Sequence, residues 1–576
     1  MNAIRSSRFL LSVLVSFTLV TNVAQPAAPR DELLRLVPDD VAFCLVVQNL
    51  RDYWAAVAES PMAKELKASS AAKTIGASPE LAKLGDLEQF LKLHLGTDFA
   101  QLRDDILGDA LVFAFRPGPP GKPDQDQGLF LIRSRSEKAL GNLVDRLNKA
   151  QQAFGELKKL EERQHNGVTY FARIERNQPP SYYALRGPVL IFSPHEAMLQ
   201  RAIDRDRQEK PADAALPALT RQFRQLGADS ALFAGWINPR AFDAEVRQRA
   251  EMAKGPEAAF LKTFGRYWDA LEGIVFSVAA AKDLEFNLAV RLKPEALSPA
   301  ARKFLAEGAR TSELWNAFPR DAIFATAGRC DVPALLELCS EFLDDDTRKA
   351  MRDSLQQGTG PVLAKAMQNL VVSLGPDAGM YLTAPATGPA WFPEGVWAIR
   401  VRPGPDGKPV DQPLLDALNF FANLAVLDHN SKNADRLTLK AVQQNEIDVK
   451  YFVNDKLPPG LQPAFGIKEG YFIFATSPDV LRRFAPRAAK APDDTAEVPL
   501  WRFSPAALRG YLKDRREALV SAIAEKDRIT KDEAARRFDE LVTGLGFADT
   551  IELVQRPSSG QVILTLRIKP TQPLRK

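Results

Sequence analysis

VPDDVAFCLVVQNLRDYW runs from Val37 to Trp54, and FPRDAIFATAGRCDVPAL runs from Phe318 to Leu335. Each has a proline, an acidic residue two places on (Asp40, Asp321), a phenylalanine at the same offset (Phe43, Phe324), an apolar run and then a helical pattern. Further echoes follow in the same order. GLFLIR (128–133) returns as GVWAIR (395–400), and GVTYFA (167–172) as DVKYFV (448–453). VLIFSPHEAMLQR (189–201) returns as YFIFATSPDVLRR (471–483), INPRAF (237–242) as FSPAAL (503–508), and VRLKP (290–294) as LRIKP (566–570). The offsets stay between 266 and 282. Repeats in register over this length indicate a duplicated domain, not a solenoid. The expected organisation is therefore one module at 31–294, a short helical linker at 295–311 and a homologous module at 312–570.

Each module reads as a strand, a helix, a hairpin, a second helix and more strands. Adjacent apolar runs joined by Gly/Pro loops are hairpin signals. Val332, Leu335, Leu336 and Cys339 follow helical spacing. SRSE (134–137) fits a capping box ahead of a stripe at Leu140, Leu143, Val144 and Leu147. In the second module Asp411 is a candidate cap, with Leu414, Leu418, Phe421 and Ala425 as the stripe. Hairpins imply antiparallel neighbours, and amphipathic helices need a sheet face to cover. The expected class is α+β, with two tandem homologous modules. Each is a mainly antiparallel sheet covered by amphipathic helices, partly ferredoxin-like.

The chain has 576 residues, more than one core supports, and its composition (45% hydrophobic, 26% charged) is that of a globular protein. A net charge of +4 from 76 basic and 72 acidic residues gives no field to gather nucleic acid. Arg5 and Arg8 precede the apolar run FLLSVLVSFTLV (9–20) and the small residues NVAQPAAP, the pattern of a secretory signal peptide over 1–28. Cleavage is expected after Ala24 or Ala28. The alternative is an uncleaved anchor at 9–23, although the run is shorter than the roughly 20 residues that span a bilayer. Export permits disulfides. Cys330 and Cys339, however, fall along one expected helix and lie on the order of 13 Å apart, beyond the about 7 Å that a bridge allows. These two and Cys44 read as small buried hydrophobes.

Chemical motifs are sparse. HEAML (195–199) has no second histidine four residues on, as a helical zinc site requires. RPGPPGKPD (116–124) and RPGPDGKPV (402–410) place Pro123 and Pro409 where a phosphate loop needs Ser or Thr, and read as turns. No G-x-S-x-G elbow occurs. DDDT (344–347) lacks calcium-loop spacing and reads as an acidic helix start. Asp39 and Asp40 read as a turn, because only Asp40 has a counterpart in the second module. No metal, cofactor or catalytic set is expected. Trp391 and Phe392, in the Pro/Gly-rich loop PATGPAWFPEG (385–395), are the candidate partner contacts, since loop aromatics can anchor a partner.

The stretch LLRLVPDDVAFCLVVQNLRDYWAAVAESPMAKELK (33–67) resembles an uncharacterised family of exported bacterial proteins known as a domain of unknown function. The resemblance implies an extracytoplasmic, non-enzymatic protein and brings no site residues. The expectation is an exported, non-catalytic binding or scaffolding protein, periplasmic or secreted. Its partner is an unidentified protein or envelope ligand, and a groove between the modules is the natural site. Its membrane contact, if any, is through residues 9–23. The rivals are an extracytoplasmic hydrolase with dispersed residues and a membrane-tethered assembly component.

Overall fold

Both opening stretches form a strand that leads into a helix, which in the first is α2 (Leu50–Ala58). In the computed structural model, residues 28–571 are described apart from 61–62, 65–66, 68–78, 208–217, 281, 358–372, 386–391, 404–409, 445–446, 486–496 and 559. Residues 1–27 of the expected signal peptide, and with them the alternative anchor at 9–23, thus lie outside the described residues. Among the described residues, 43–292 carry ten strands: β1 (Phe43–Gln48), β2 (Ala110–Arg116), β3 (Gln127–Arg133), β4 (Leu157–His165), β5 (Val168–Glu175), β6 (Ser181–Arg186), β7 (Val189–Ser193), β8 (Phe233–Ile237), β9 (Leu271–Ala280) and β10 (Leu284–Leu292). Residues 324–570 carry ten more: β11 (Phe324–Arg329), β12 (Leu374–Thr383), β13 (Glu394–Val401), β14 (Thr438–Gln444), β15 (Ile447–Val453), β16 (Ala464–Lys468), β17 (Tyr471–Ala475), β18 (Val498–Phe503), β19 (Ala548–Ser558) and β20 (Gln561–Pro570).

All twenty join one antiparallel sheet in the order β4-β5-β6-β7-β3-β2-β1-β8-β9-β10-β20-β19-β18-β11-β12-β13-β17-β16-β15-β14. The protein is α+β. The second ten strands pair in the order of the first ten, and β10 meets β20 at the join. The ferredoxin-like order does not form: that order needs a parallel pair, whereas β1 pairs antiparallel with both β2 and β8. Matching the two ladders outward from Phe43 and Phe324 sets Val290 against Ile568, two residues from the match read in VRLKP and LRIKP. The same matching makes Asn287 the counterpart of Thr565. These two face each other across the join, and the Thr565 hydroxyl donates to Asn287 Oδ1 at 2.7 Å.

One face of the sheet is covered by helices. In the first half α1 (Pro29–Leu34), α4 (Glu196–Arg207) and α5 (Ala218–Gln225) bury Leu33, Leu34, Met198, Ile203 and Phe223 against Cys44, Val46, Val112, Leu131 and Trp236. In the second half Leu314, Phe318 and α11 (Pro478–Arg483) pack on Ala325, Tyr381, Ala398, Tyr471 and Ile473. The opposite face is covered on its flanks. There α3 (Glu137–Ala153) packs Leu140 against Ile132 and Ile106, and α10 (Asp411–Lys432) packs Leu414 and Ala422 against Ile399, Val401 and Phe472. Each of these helices holds a stripe at the expected spacing because a sheet flank buries only about a third of a helix's circumference. Within the expected stripes, Leu147 is exposed and Asn148 is buried instead.

Capping differs in detail from the sequence reading. The cap of α3 is Ser136, which accepts from the Ala139 amide; Ser134 is buried, and its hydroxyl donates to the carbonyls of Asp105 and Ser136. The α10 helix begins at Asp411 itself, without a side-chain cap. Asp344 does act as a helix start, accepting from the Thr347 amide at 2.6 Å ahead of α9 (Asp345–Gln357). The expected linker contains α7 (Pro299–Gly308), capped by Ser298, whose Ala301 packs with Ala270 and Leu297 and against Leu338 of α8 (Val332–Glu341). On α8 the buried side chain is Ala334, while Leu336 and Cys339 are exposed, so the inward face is rotated from the one expected. Of the three free cysteines only Cys44 is buried; Cys330 is half-buried.

Candidate functional site

The strands at the join are amphipathic. In LEFNLAVRL (284–292) Leu, Phe, Leu, Val and Leu alternate with Glu, Asn, Ala and Arg, and in QVILTLRIK (561–569) Val562, Leu564, Leu566 and Ile568 alternate with Gln, Ile, Thr and Arg. Successive side chains of a strand point to opposite faces. The polar set lies on the face that the α1, α4 and α5 helices share. There Arg567 donates to Glu285 Oε1 at 2.8 Å and makes two bonds to Glu497 at 2.9 and 3.0 Å, and Arg556 adds a third to Glu497 at 3.0 Å. Asn287 also reaches Ser277.

The apolar set lies on the other face, and the register aligns it into rows. One row runs Phe233, Val278, Phe286, Leu566, Leu553, Trp501. The next runs Leu45, Gly235, Phe276, Leu288, Leu564, Gln555. On either side lie Phe43, Ile237, Ile274, Val290, Val562 and Leu284, Ile568, Ile551, Phe503, Phe324. The ladder matching that relates the two halves exchanges these rows in pairs. Aromatic rings cluster within them: Phe276 lies 6.3 Å from Phe43 and 5.7 Å from Phe233, and Phe324 stacks on Trp501.

This face is open. Phe286 is 39% and Leu288 42% exposed at its centre, and Trp397 and Phe474, paired with each other toward the second flank, are 38% and 42% exposed. None of the four belongs to a hydrophobic cluster built from the described residues. A sheet needs a second layer over its apolar face, and exposed apolar patches of this extent mark interaction sites.

Gly235 belongs to the face's construction. A Cβ on Gly235 would stand 2.0 Å from the Phe276 ring, which lies over the bare backbone. Gly235→Ala is expected to push that ring off its stacking partners and to cost about 1–2 kcal/mol, an overpacking penalty. Urea unfolding measures this, and Phe276→Ala in the same chain should recover most of the loss. An unchanged midpoint for the single variant would contradict the close packing.

The groove between the halves exists and has a different character. A cleft of about 630 Å³ separates α6 (Pro256–Ala270) from α8 and α9, lined by Lys262, Arg266, Glu337, Glu341, Asp344 and Arg348. Its charges largely serve each other. Arg266 meets Glu341 at 3.2 Å, Tyr267 donates to the same carboxylate at 2.7 Å, and Arg348 meets Asp345 at 3.3 Å. Phe342 of the second half stacks on Tyr267 and tilts against Phe260 of the first. The cleft is a seam.

Of the candidate contacts read in the sequence, Trp391 lies outside the described residues and Phe392 is half-buried beside the start of β13. The histidines are dispersed: His165 meets Asp204 at 2.7 Å, His94 lies between Phe90 and Phe154, and His429 contacts Asn433. Asp39 and Asp40 form surface ion pairs with Arg205, and with Arg116 and Arg201. The RPGPPGKPD turn edges a hollow of about 370 Å³ beside Phe242 and Glu245, and the Gly118 amide donates to Asp126. Among the described residues no three His, Cys, Asp or Glu side chains gather into a metal-binding cluster, and no helix is long and apolar enough to cross a membrane. The open face was missed in the sequence, although the alternation in β10 and β20 carried its signal. No family model, curated protein or solved structure matches the chain.

Proposed function

We propose that the protein is an exported, non-catalytic binding or scaffolding protein whose working surface is the open apolar face of its central strands. The observation that carries this reading is the run of apolar rows across β8, β9, β10, β20, β19 and β18 with Phe286 and Leu288 exposed at their centre. The rows contain no charged side chain, so burying them against an apolar partner strands no charge. Each fully buried side chain of this kind contributes about 1.5–3 kcal/mol. The two halves are read as copies of one module. The repeated strand order and the echoes in the sequence support this, and a tandem copy joined edge to edge explains why the apolar rows continue across the join. The export step rests on the apolar run that follows Arg5 and Arg8.

A photo-crosslinking residue at position 286 tests the binding role in cells that make the protein. A control at Lys159, on the charged edge strand β4 and 68% exposed, reports chance encounters. The expected result is an adduct from position 286 at about ten times the control yield, as for the centre of a buried contact. Equal yields from both positions would sink the reading.

A further inference from the structure

We propose that the open face is covered by the same face of a second copy of this chain, in a twofold, face-to-face sheet packing. This rests on the reading of the face as a binding surface and names its occupant. Three observations carry it.

The first is symmetry. The ladder matching that takes Phe43 to Phe324 and Asn287 to Thr565 also exchanges Phe286 with Leu564 and Leu288 with Leu566. The pattern therefore largely repeats about an axis normal to the sheet at the join, with Gly235 falling on Trp501 and Val278 on Gln555. A patch apolar throughout its centre is chemically complementary to itself, as an isologous contact about a twofold axis in the sheet plane requires. The second is area. The four rows hold twenty-two positions, each about 4.8 Å by 6.8 Å, and so offer about 700 Å² per copy, or about 1,400 Å² for the pair. That is the size of a standard stable interface. The third is shape. Between the flanking helices α3 and α10 the face is bare sheet, not an enclosed pocket, and hydrocarbon ligands sit in concave sites that enclose most of their surface. A ligand lying on this face would keep one side in water, whereas a second sheet about 10 Å away covers every row at once. The centre of such a contact places Phe286, Leu288, Leu564 and Leu566 of both copies together, with no polar side chain that needs a partner.

Sedimentation velocity on the purified full chain, at concentrations from tens of nanomolar to tens of micromolar, tests the occupant. The expected species has twice the 63.6 kDa chain mass. Leu288→Glu should weaken the dimer by at least about 100-fold, as for a charge placed at the centre of an apolar contact. Phe420→Asp, on the outer face of α10 and far along the sheet, should leave the mass unchanged. Far-UV circular dichroism verifies that both variants are folded. Leu288 projects into solvent in the isolated chain, so its replacement need not disturb the core. A parent that stays monomeric throughout overturns the proposal, and so does a dimer indifferent to Leu288→Glu. The crosslink at position 286 separates the two claims. A strong adduct of another mass with a monomeric parent keeps the binding face and removes the second copy, whereas yields no higher than the control remove both.

Discussion

Arg567→Ala is expected to destabilise the chain by about 3 kcal/mol at pH 7, the scale for removing one partner from a mostly buried ionic network. Arg567 is 16% exposed and holds Glu285 and Glu497 at once, one across the β10–β20 join and one from the residue just ahead of β18, on the far side of β19. Its loss leaves the two carboxylates with Arg556, which reaches Glu497 at 3.0 Å and Glu285 only at 3.9 Å. The hydrogen bond from Arg567, acting against burial and helped by Arg556, holds the Glu497 carboxyl below the usual carboxylate range. A carboxylate depressed in the folded state contributes stability that is complete above the ordinary glutamate value of 4.5 and is lost as pH falls through its lower folded value. The parent should therefore lose stability on acidification below about pH 4.5, and the variant's deficit should shrink over that same interval. Urea unfolding of both chains at pH 7 and pH 3.5 measures this. A deficit that is equal at both pH values would show that lost packing, not the ion pair, is responsible. Arg567→Met, which keeps the stem's length, separates the two contributions further, because part of an arginine's worth is its apolar stem.

Tyr471→Phe is expected to cost about 2–3 kcal/mol, the penalty for leaving a buried charged group without its donor. Tyr471 is wholly buried, and its hydroxyl donates to Asp377 Oδ2 at 2.8 Å. Asp377 is 2% exposed, and its other oxygen meets no donor among the described residues. Burial, with the neighbouring carboxylate, pushes the Tyr471 hydroxyl above its ordinary range, so it stays a donor at any pH at which the protein is handled. The ring itself is kept by the substitution: Arg400 lies 4.9 Å over it and Phe484 meets it edge-on. The loss is thus specific to the hydroxyl. The double variant Tyr471→Phe/Asp377→Asn should recover part of it, since an amide tolerates an unpaired site better than a carboxylate does. Chemical denaturation reports both. If Tyr471→Phe is as stable as the parent, the Asp377 carboxylate is satisfied by other means. Arg400 also meets Glu313, as Arg133 meets Glu32 and Asp109 in the first half, so each half ties its first helical segment to the sheet by an arginine from the GLFLIR or GVWAIR strand.

The strand–helix reading of Val37–Trp54 and Phe318–Leu335, the hairpins, and the stripes of α3 and α10 were legible because period-2 and period-3.6 patterns are local properties of the chain. The caps were less so. Ser134 and Ser136 both satisfy the composition of a cap, and the choice between them depends on the Asp105 carbonyl, which the chain supplies from 29 residues away. The inward face of α8 is set by contact with α7 and α6, so Cys339 faces solvent although it falls on an apolar spacing.

The candidate site divides in the same way. Amphipathic alternation in β10 and β20, the number and rough order of elements, and the internal echo belong to the sequence alone, since each is a pattern in residue type along the chain. That the two ladders join edge to edge, that polar side chains gather around Arg567 on one face, and that the apolar rows on the other face lie open were decided only by the tertiary structure. Alternation states that a strand has two unlike faces. Which of them meets a helix layer and which meets water depends on strands brought together from 278 residues apart, as Asn287 and Thr565 are, and no local pattern carries that information.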